Sequence, residues 1–282
     1  MFRQTLFTMS NVCILTDSTA QFVRPNFPGY ERVYIIPFDL QMPPSQPDDF
    51  APSGHDSQPR LLSPSPQQFI RYYDHLGRKY DTILVLTLSS LLNPAMQNAL
   101  SACAQYSNNT TVEVLDSQMV GLGLGLIVQV AAEAAARGES LAEIQHKVRV
   151  SIPHIYILFC IPQLMYLAHA GLLDSSQALA GEMMSMLPIF TLEEGRLVPN
   201  EKVRTPRHLF EAFQDFMAEF ESPTHIALLH GVSHHTLRIR PLRQYLQESF
   251  PDAPFSEHAI QPHLAALFGP QCIGLVVSEI VE

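Results

Sequence analysis

Tryptophan is absent from the 282 residues, and lysine and arginine together number only 17 against 27 aspartates and glutamates. With a formal net charge of -10 and no basic cluster, the chain lacks the phosphate-neutralising surface that a nucleic-acid partner needs. Cysteine is scarce as well. Cys13, Cys103, Cys160 and Cys272 lie far apart in apolar company, which excludes a disulfide framework and points to free thiols in a reducing, cytoplasmic compartment. Long unbroken apolar runs are also missing. The stretch from Met119 to Ala136 carries Glu133 and three spaced glycines, and Val150 to Leu173 is interrupted by Pro153, His154, Pro162 and His169, so both read as core elements rather than membrane spans. Met1 to Met9 holds one arginine and no apolar region leading to a cleavage site, so no secretory signal is expected, and Met9 is a second candidate start. No Walker loop, dinucleotide fingerprint or G-x-S-x-G elbow is present. Gly121, Gly123 and Gly125 fall within an apolar helical run, where spaced glycines signal close packing.

What is present is an alternation of strands and helices. Hydrophobic residues make up 46% of the chain, enough to fill one large or two ordinary cores. The run Val12 to Leu15 ends in Thr16-Asp17-Ser18-Thr19, Thr82 to Leu88 ends in Ser89-Ser90, and Val112 to Leu115 ends in Asp116-Ser117. Three apolar strands delivering acids and hydroxyls to one edge predict a parallel sheet with a polar rim at its carboxyl end, where open α/β folds bind ligands. Further elements are a short helix in Gln21 to Tyr30 and a strand at Val33 to Phe38. Met42 to Pro66 is expected to be a long irregular loop. Helices follow at Gln67 to Leu76, capped by Ser65, at Ala95 to Tyr106, at Gly121 to Arg137, and to Val148 from a capping box at Ser140.

After Ile155 the pattern changes. A strand to Phe159, a helix through Leu164 to Ala168, a helix including Met183, Met184 and Met186, and a hairpin about Glu193-Glu194-Gly195 are expected. They lead to the amphipathic helix Pro206 to Phe220, the strand His225 to His230, the helix Thr236 to Glu248, and strands at Phe255 to Ile260 and Cys272 to Val277. The fold class is α/β in two domains, 1–150 and 151–282. The first is a parallel sheet with helices on both faces and the second a mixed sheet; whether a segment of the first crosses into the second is left open.

For chemistry, Asp17, Ser18 and Thr19 are a nucleophile, an anion cradle or a helix cap, with the cap the commonest use of such residues. His230, His234 and His235 could meet at a strand end, but no cysteine or carboxylate stands beside them in sequence, so no metal site is expected. The methionine and aromatic stripes read first as core, and the methionines as adaptable to an irregular apolar ligand.

The ordered motifs Ile14-Leu15-Thr16-Asp17-Ser18-Thr19, the Val33 to Pro37 strand, Ser63-Pro64-Ser65-Pro66 with Phe69, and Leu88-Ser89-Ser90 with Gln97 and Ala99 form one set. Asp116-Ser117 before a glycine-rich helix, Tyr166-Leu167, Glu194-Gly195, Lys202-Val203-Arg204-Thr205 and Gly269-Pro270 complete it. Together they resemble the DegV family of bacterial fatty-acid-binding proteins over nearly the whole chain. The resemblance implies a non-catalytic protein that buries a long acyl chain in a cavity between two domains and presents its carboxylate to a partner fatty-acid kinase. The bound lipid is then the ligand, and no other cofactor is implied.

This chain departs from the family at the head group. The usual Thr-Ser-Gln-Pro-Ser is Leu61-Leu62-Ser63-Pro64-Ser65, and the Ser-Gly-Thr turn is Asn93-Pro94-Ala95. The Gly-Gly-Arg motif is Ala170-Gly171-Leu172, and the histidine before Gly-Pro-Gly is Leu267, followed by Phe268. The expected lipid-binding residues are therefore Leu61, Leu62, Ser63, Asn93, Pro94, Ala95, Leu172, Leu267 and Phe268. Asp17, Ser18, Thr19, Ser89, Ser90, Asp116 and Ser117 form the rim. A carboxylate desolvated beside leucines without donors costs several kcal/mol, so an altered head group is expected, and the loss of the arginine and histidine puts the kinase partner in question. Two other readings remain: an enzyme using Ser18, Ser89 or Ser117 with His230, or an interaction protein whose cavity has closed.

Overall fold

In the computed structural model, which describes residues 11–42, 58–231 and 239–279, the first strand is buried along its whole length. That strand, β1 (Val12–Asp17), is followed by β2 (Val33–Ile36), β3 (Asp39–Gln41), β4 (Arg60–Leu62), helix α1 (Pro66–Leu76), β5 (Thr82–Thr87), α2 (Ala95–Gln105), β6 (Thr111–Asp116), α3 (Leu122–Ala136) and α4 (Leu141–Ser151). Strands β2, β1, β5 and β6 lie in that order, all parallel. Apolar side chains on alternate residues serve both faces, the pattern of a sheet covered on each side.

The remainder runs β7 (Ile155–Cys160), α5 (Leu164–His169), α6 (Ser175–Met183), β8 (Leu187–Glu193), β9 (Arg196–Val203), α7 (Pro206–Met217), β10 (His225–His230), α8 (Ile239–Ser249), β11 (Phe255–Ala259), α9 (Pro262–Phe268) and β12 (Ile273–Ser278). Here the strand order is β11-β10-β12-β7-β8-β9. The sheet is mixed, because β10 and β11 are parallel while β12 runs antiparallel to both β10 and β7. β8 and β9 form a tight hairpin whose two turn residues, Glu194 and Gly195, both have positive φ.

Among the described residues, three apolar cores hold five layers together. Cys13, Leu15, Ile83 and Val85 pack outward on Phe69 and Tyr73 of α1 and on Ala99 and Ala102 of α2. The opposite face, with Val12, Ile14, Leu84 and Leu86, meets α3, and the same core continues into Ile157, Phe159, Leu229 and Val276 of the second sheet and Leu264 of α9. Beyond that sheet, Leu158, Leu228 and Leu275 pack on Leu209 and Phe213 of α7 and on Leu242 and Leu246 of α8. The middle helical layer is thus shared by both sheets. Full burial of each large apolar side chain is worth about 1.5–3 kcal/mol. Close packing explains Gly125, where an added Cβ would run into the carbonyl oxygen of Gln21.

Several expectations need correction. Gln21 to Tyr30 forms bends and turns, leading to a single 3-10 turn at Tyr30–Arg32, because Pro25 and Pro28 remove backbone donors within one would-be helix. Of the loop expected from Met42 to Pro66, residues 43–57 lie outside the described residues, and in the described part Arg60–Leu62 is a strand that pairs antiparallel with Asp39–Gln41. Met183 and Met184 are 78% and 55% exposed at the end of α6 rather than in the core. Helix α9, which carries Leu267 and Phe268, had no counterpart in the sequence reading. Met1, Met9, His234 and His235 lie outside the described residues.

Candidate functional site

The carboxyl edge of the parallel sheet holds the polar rim. Asp17 is fully buried; its Oδ1 accepts from the Thr19 backbone N–H at 2.8 Å and the Thr19 hydroxyl at 2.6 Å, and its Oδ2 accepts from the Leu88 N–H at 2.7 Å. Burial pushes the Asp17 carboxyl upward, opposed by those bonds to Thr19 and Leu88 and by the nearby His263. Asp17 therefore clamps the end of β1 to the end of β5.

The rim hydroxyls are spent in the same way. Ser18 Oγ accepts from Phe38 N–H at 2.8 Å. Ser89 Oγ donates to the Gly195 carbonyl at 2.6 Å and so ties the first sheet to the β8–β9 turn. Ser117 Oγ donates to the Thr87 carbonyl at 2.6 Å, and Ser90 Oγ bonds to the Asp116 carboxylate. His230 places Nδ1 3.1 Å from the Gly231 carbonyl oxygen and Nε2 3.5 Å from Glu257. Ser89 and Ser117 thus fasten backbone, since each donates its hydroxyl to a main-chain carbonyl, while Ser90 is held by a carboxylate. No group of three metal-ligating side chains occurs among the described residues.

Beside the rim, a cavity of about 510 Å³ opens between the two halves of the fold. One wall is β4 and the turn before α2, contributing Arg60, Leu61, Leu62, Ser63, Leu92, Asn93 and Pro94; the other is α5 and α9, contributing His169, Ala170, Ala266 and Leu267. Six of the residues singled out from the sequence, Leu61, Leu62, Ser63, Asn93, Pro94 and Leu267, therefore meet in one place. Three do not line it: Ala95 and Phe268 are wholly buried in the middle core, and Leu172 packs against that core. Asn93 turns its Oδ1 onto the Ala95 N–H at 3.0 Å, opening α2, which leaves its amide N–H groups available. Ser63 Oγ accepts from Asn98 Nδ2 at 3.4 Å.

A family model described as "Uncharacterised protein, DegV family" matches residues 11–279. The chain belongs to the DegV family. A DegV domain-containing protein of Staphylococcus aureus (strain COL) is 27% identical over 280 residues, covering 95% of this chain and 99% of its own. Among solved structures, the fatty acid binding DegV family protein of Streptococcus agalactiae is 17% identical with a TM-score of 0.82, covering 96% of this chain and all of the other (100%). The Streptococcus pneumoniae fatty acid kinase (Fak) B3 protein, loaded with linoleic acid, is 16% identical with a TM-score of 0.77, covering 95% and 99%. These likenesses establish the DegV fold for the present chain, with its parallel and mixed sheets.

Against this DegV frame, Arg60 and His169 were missed in the sequence. The signal was adjacency: Arg60 precedes the Leu61-Leu62 pair, and His169 precedes Ala170-Gly171-Leu172. Only the fold brings these two segments together.

Proposed function

We propose that the chain binds a long-chain fatty acid or a closely related lipid in the cavity between the parallel and mixed sheets, as a non-catalytic carrier with an altered head-group site. The observation that carries this reading is the cavity itself. It opens where the two halves meet, its volume of about 510 Å³ lies in the range of small-molecule sites, and leucines from β4, the turn before α2 and α9 line it. Each buried methylene of an acyl chain contributes about 0.8 kcal/mol, so apolar burial alone supplies ample affinity. The family relatives described as fatty-acid-binding and as loaded with linoleic acid support the ligand class.

The units 1–150 and 151–282 form the two sides of the cavity in this reading, and the site of action is the cytoplasm. No helix among the described residues is long and apolar enough to cross a membrane. A fatty-acid kinase partner is part of the proposal only insofar as it tolerates Leu172 and Leu267 in place of an arginine and a histidine. Native mass spectrometry of the purified protein, followed by denaturing extraction, tests the reading. A lipid near one-to-one occupancy is the expected result. A protein that carries none and takes up no added fatty acid overturns it.

A further inference from the structure

We infer that Arg60, His169 and Asn93 form a substitute anion clamp at the cavity mouth, so that this chain takes an acyl ligand with an anionic oxygen head group despite its leucines. The inference rests on the lipid-binding reading above and specifies its ligand class.

In a chain with formal net charge -10, no aspartate or glutamate among the described residues lines this cavity, while Arg60 does. Arg60 makes no ion pair among the described residues. It sits opposite Gln41 at the end of the β3–β4 ribbon, and Leu61 alternates to the other side, where it packs against the middle core. The apolar wall and the cation thus come from neighbouring residues of one short strand.

Across the cavity, His169 is fixed at Nδ1 by Gln58 Oε1 at 2.9 Å. With Nδ1 bonded to that oxygen, Nε2 is the ring atom left for a polar partner. Asn93 contributes its amide N–H groups, because its oxygen is held by Ala95 N–H. The donors therefore come from both walls. A guanidinium presents a planar fork suited to carboxylate or phosphate oxygens, and a neutral ester or alcohol would leave it without a charge partner.

The test is direct competition at neutral pH between palmitate, methyl palmitate and hexadecyl phosphate, using tryptophan-free intrinsic background and a fluorescent fatty acid as the displaced probe. The wild type is expected to prefer an anion over the methyl ester by roughly 10- to 100-fold, the range of one charge-assisted hydrogen bond. Arg60→Gln is expected to bring the anion down to the level of the ester, Arg60→Lys to recover part of the preference, and His169→Ala to lose a smaller share. Palmitate above hexadecyl phosphate identifies a free acid as the source of the anionic oxygen, and the reverse order identifies a phosphate ester; either supports the clamp. Equal binding of acid and ester by the wild type, or an undiminished preference in folded Arg60→Gln as judged by its melting temperature, overturns the clamp while leaving lipid binding intact. Displacement by none of the three overturns both readings.

Discussion

Acidification from neutral pH to about pH 5 should unload stability through His225, and the amount can be worked from its surroundings. The ring lies at the start of β10, with Nε2 2.8 Å from Ser256 Oγ on the neighbouring strand, and the same hydroxyl lies 2.9 Å from Nε2 of His258. Burial, followed by Arg24 and His258, lowers the His225 pKa from 6.5 to about 4. Because the folded value lies below the unfolded one, its stabilising share is complete above 6.5 and is lost as pH falls through about 4. Near pH 5 the unfolded chain is nearly fully protonated and the folded ring is not, a difference worth about 2 kcal/mol as an upper bound, since solvent reaching the ring screens it. His258, lowered by burial and by His230, adds in the same direction. The carboxylates held low, Glu139, Glu143 and Asp174, start from ordinary values of 4.5, 4.5 and 3.8, so their loss comes at more acid pH. Urea midpoints measured from pH 7 to pH 5 on the wild type and on His225→Gln isolate the effect. The wild type should lose about 1–2 kcal/mol more than the variant across that window. Parallel curves would refute the reasoning.

Three further outcomes are expected. Asp17→Asn should destabilise the fold by about 2–4 kcal/mol in chemical denaturation, because an amide cannot accept from both the Thr19 and Leu88 donors, and a buried N–H is left unpaired. Gly125→Ala should cost about 1–3 kcal/mol, since the atom in its way is the Gln21 backbone oxygen rather than a side chain that can turn aside. Asn93→Leu should weaken fatty-acid binding severalfold; unchanged affinity in a lipid titration would remove Asn93 from the head-group site.

Strands carried the plainest signals in the sequence. Val12 to Asp17 and Thr82 to Thr87 are buried on both faces, and their unbroken apolar runs made them recognisable without any partner in view. Helices α1 and α4 were equally legible, because Ser65 and Ser140 announce their starts through capping boxes that the structure contains. Short elements were not. Arg60–Leu62 and Pro262–Phe268 are too brief to show a period, and each exists through its neighbours, β4 by pairing with β3 and α9 by packing against α5 and β4. Met183 and Met184 were misjudged because composition alone does not show which face of a helix end meets solvent. The candidate site divides in the same way. Leucines at Leu61, Leu62 and Leu267 stood out as departures from a motif, whereas the nearness of Arg60 to His169 depends on a chain path that no local pattern encodes.

The thiols give the layered architecture an internal gauge. Cys13 belongs to the outer core over the first sheet, Cys272 to the shared middle core, and Cys160 to the outer core over the second sheet. All three are fully buried, with burial pushing Cys13 and Cys160 up to about 12 and Cys272 well above the ordinary thiol value. A thiolate-seeking reagent therefore reacts with each only when its own layer opens. Partly exposed Cys103 serves as the reference for reagent activity. Alkylation timed by peptide mass spectrometry would read the breathing of the three layers separately. Protection of Cys272 alone by added lipid would mean that the guest braces the centre of the stack while its two outer skins continue to loosen at their own pace.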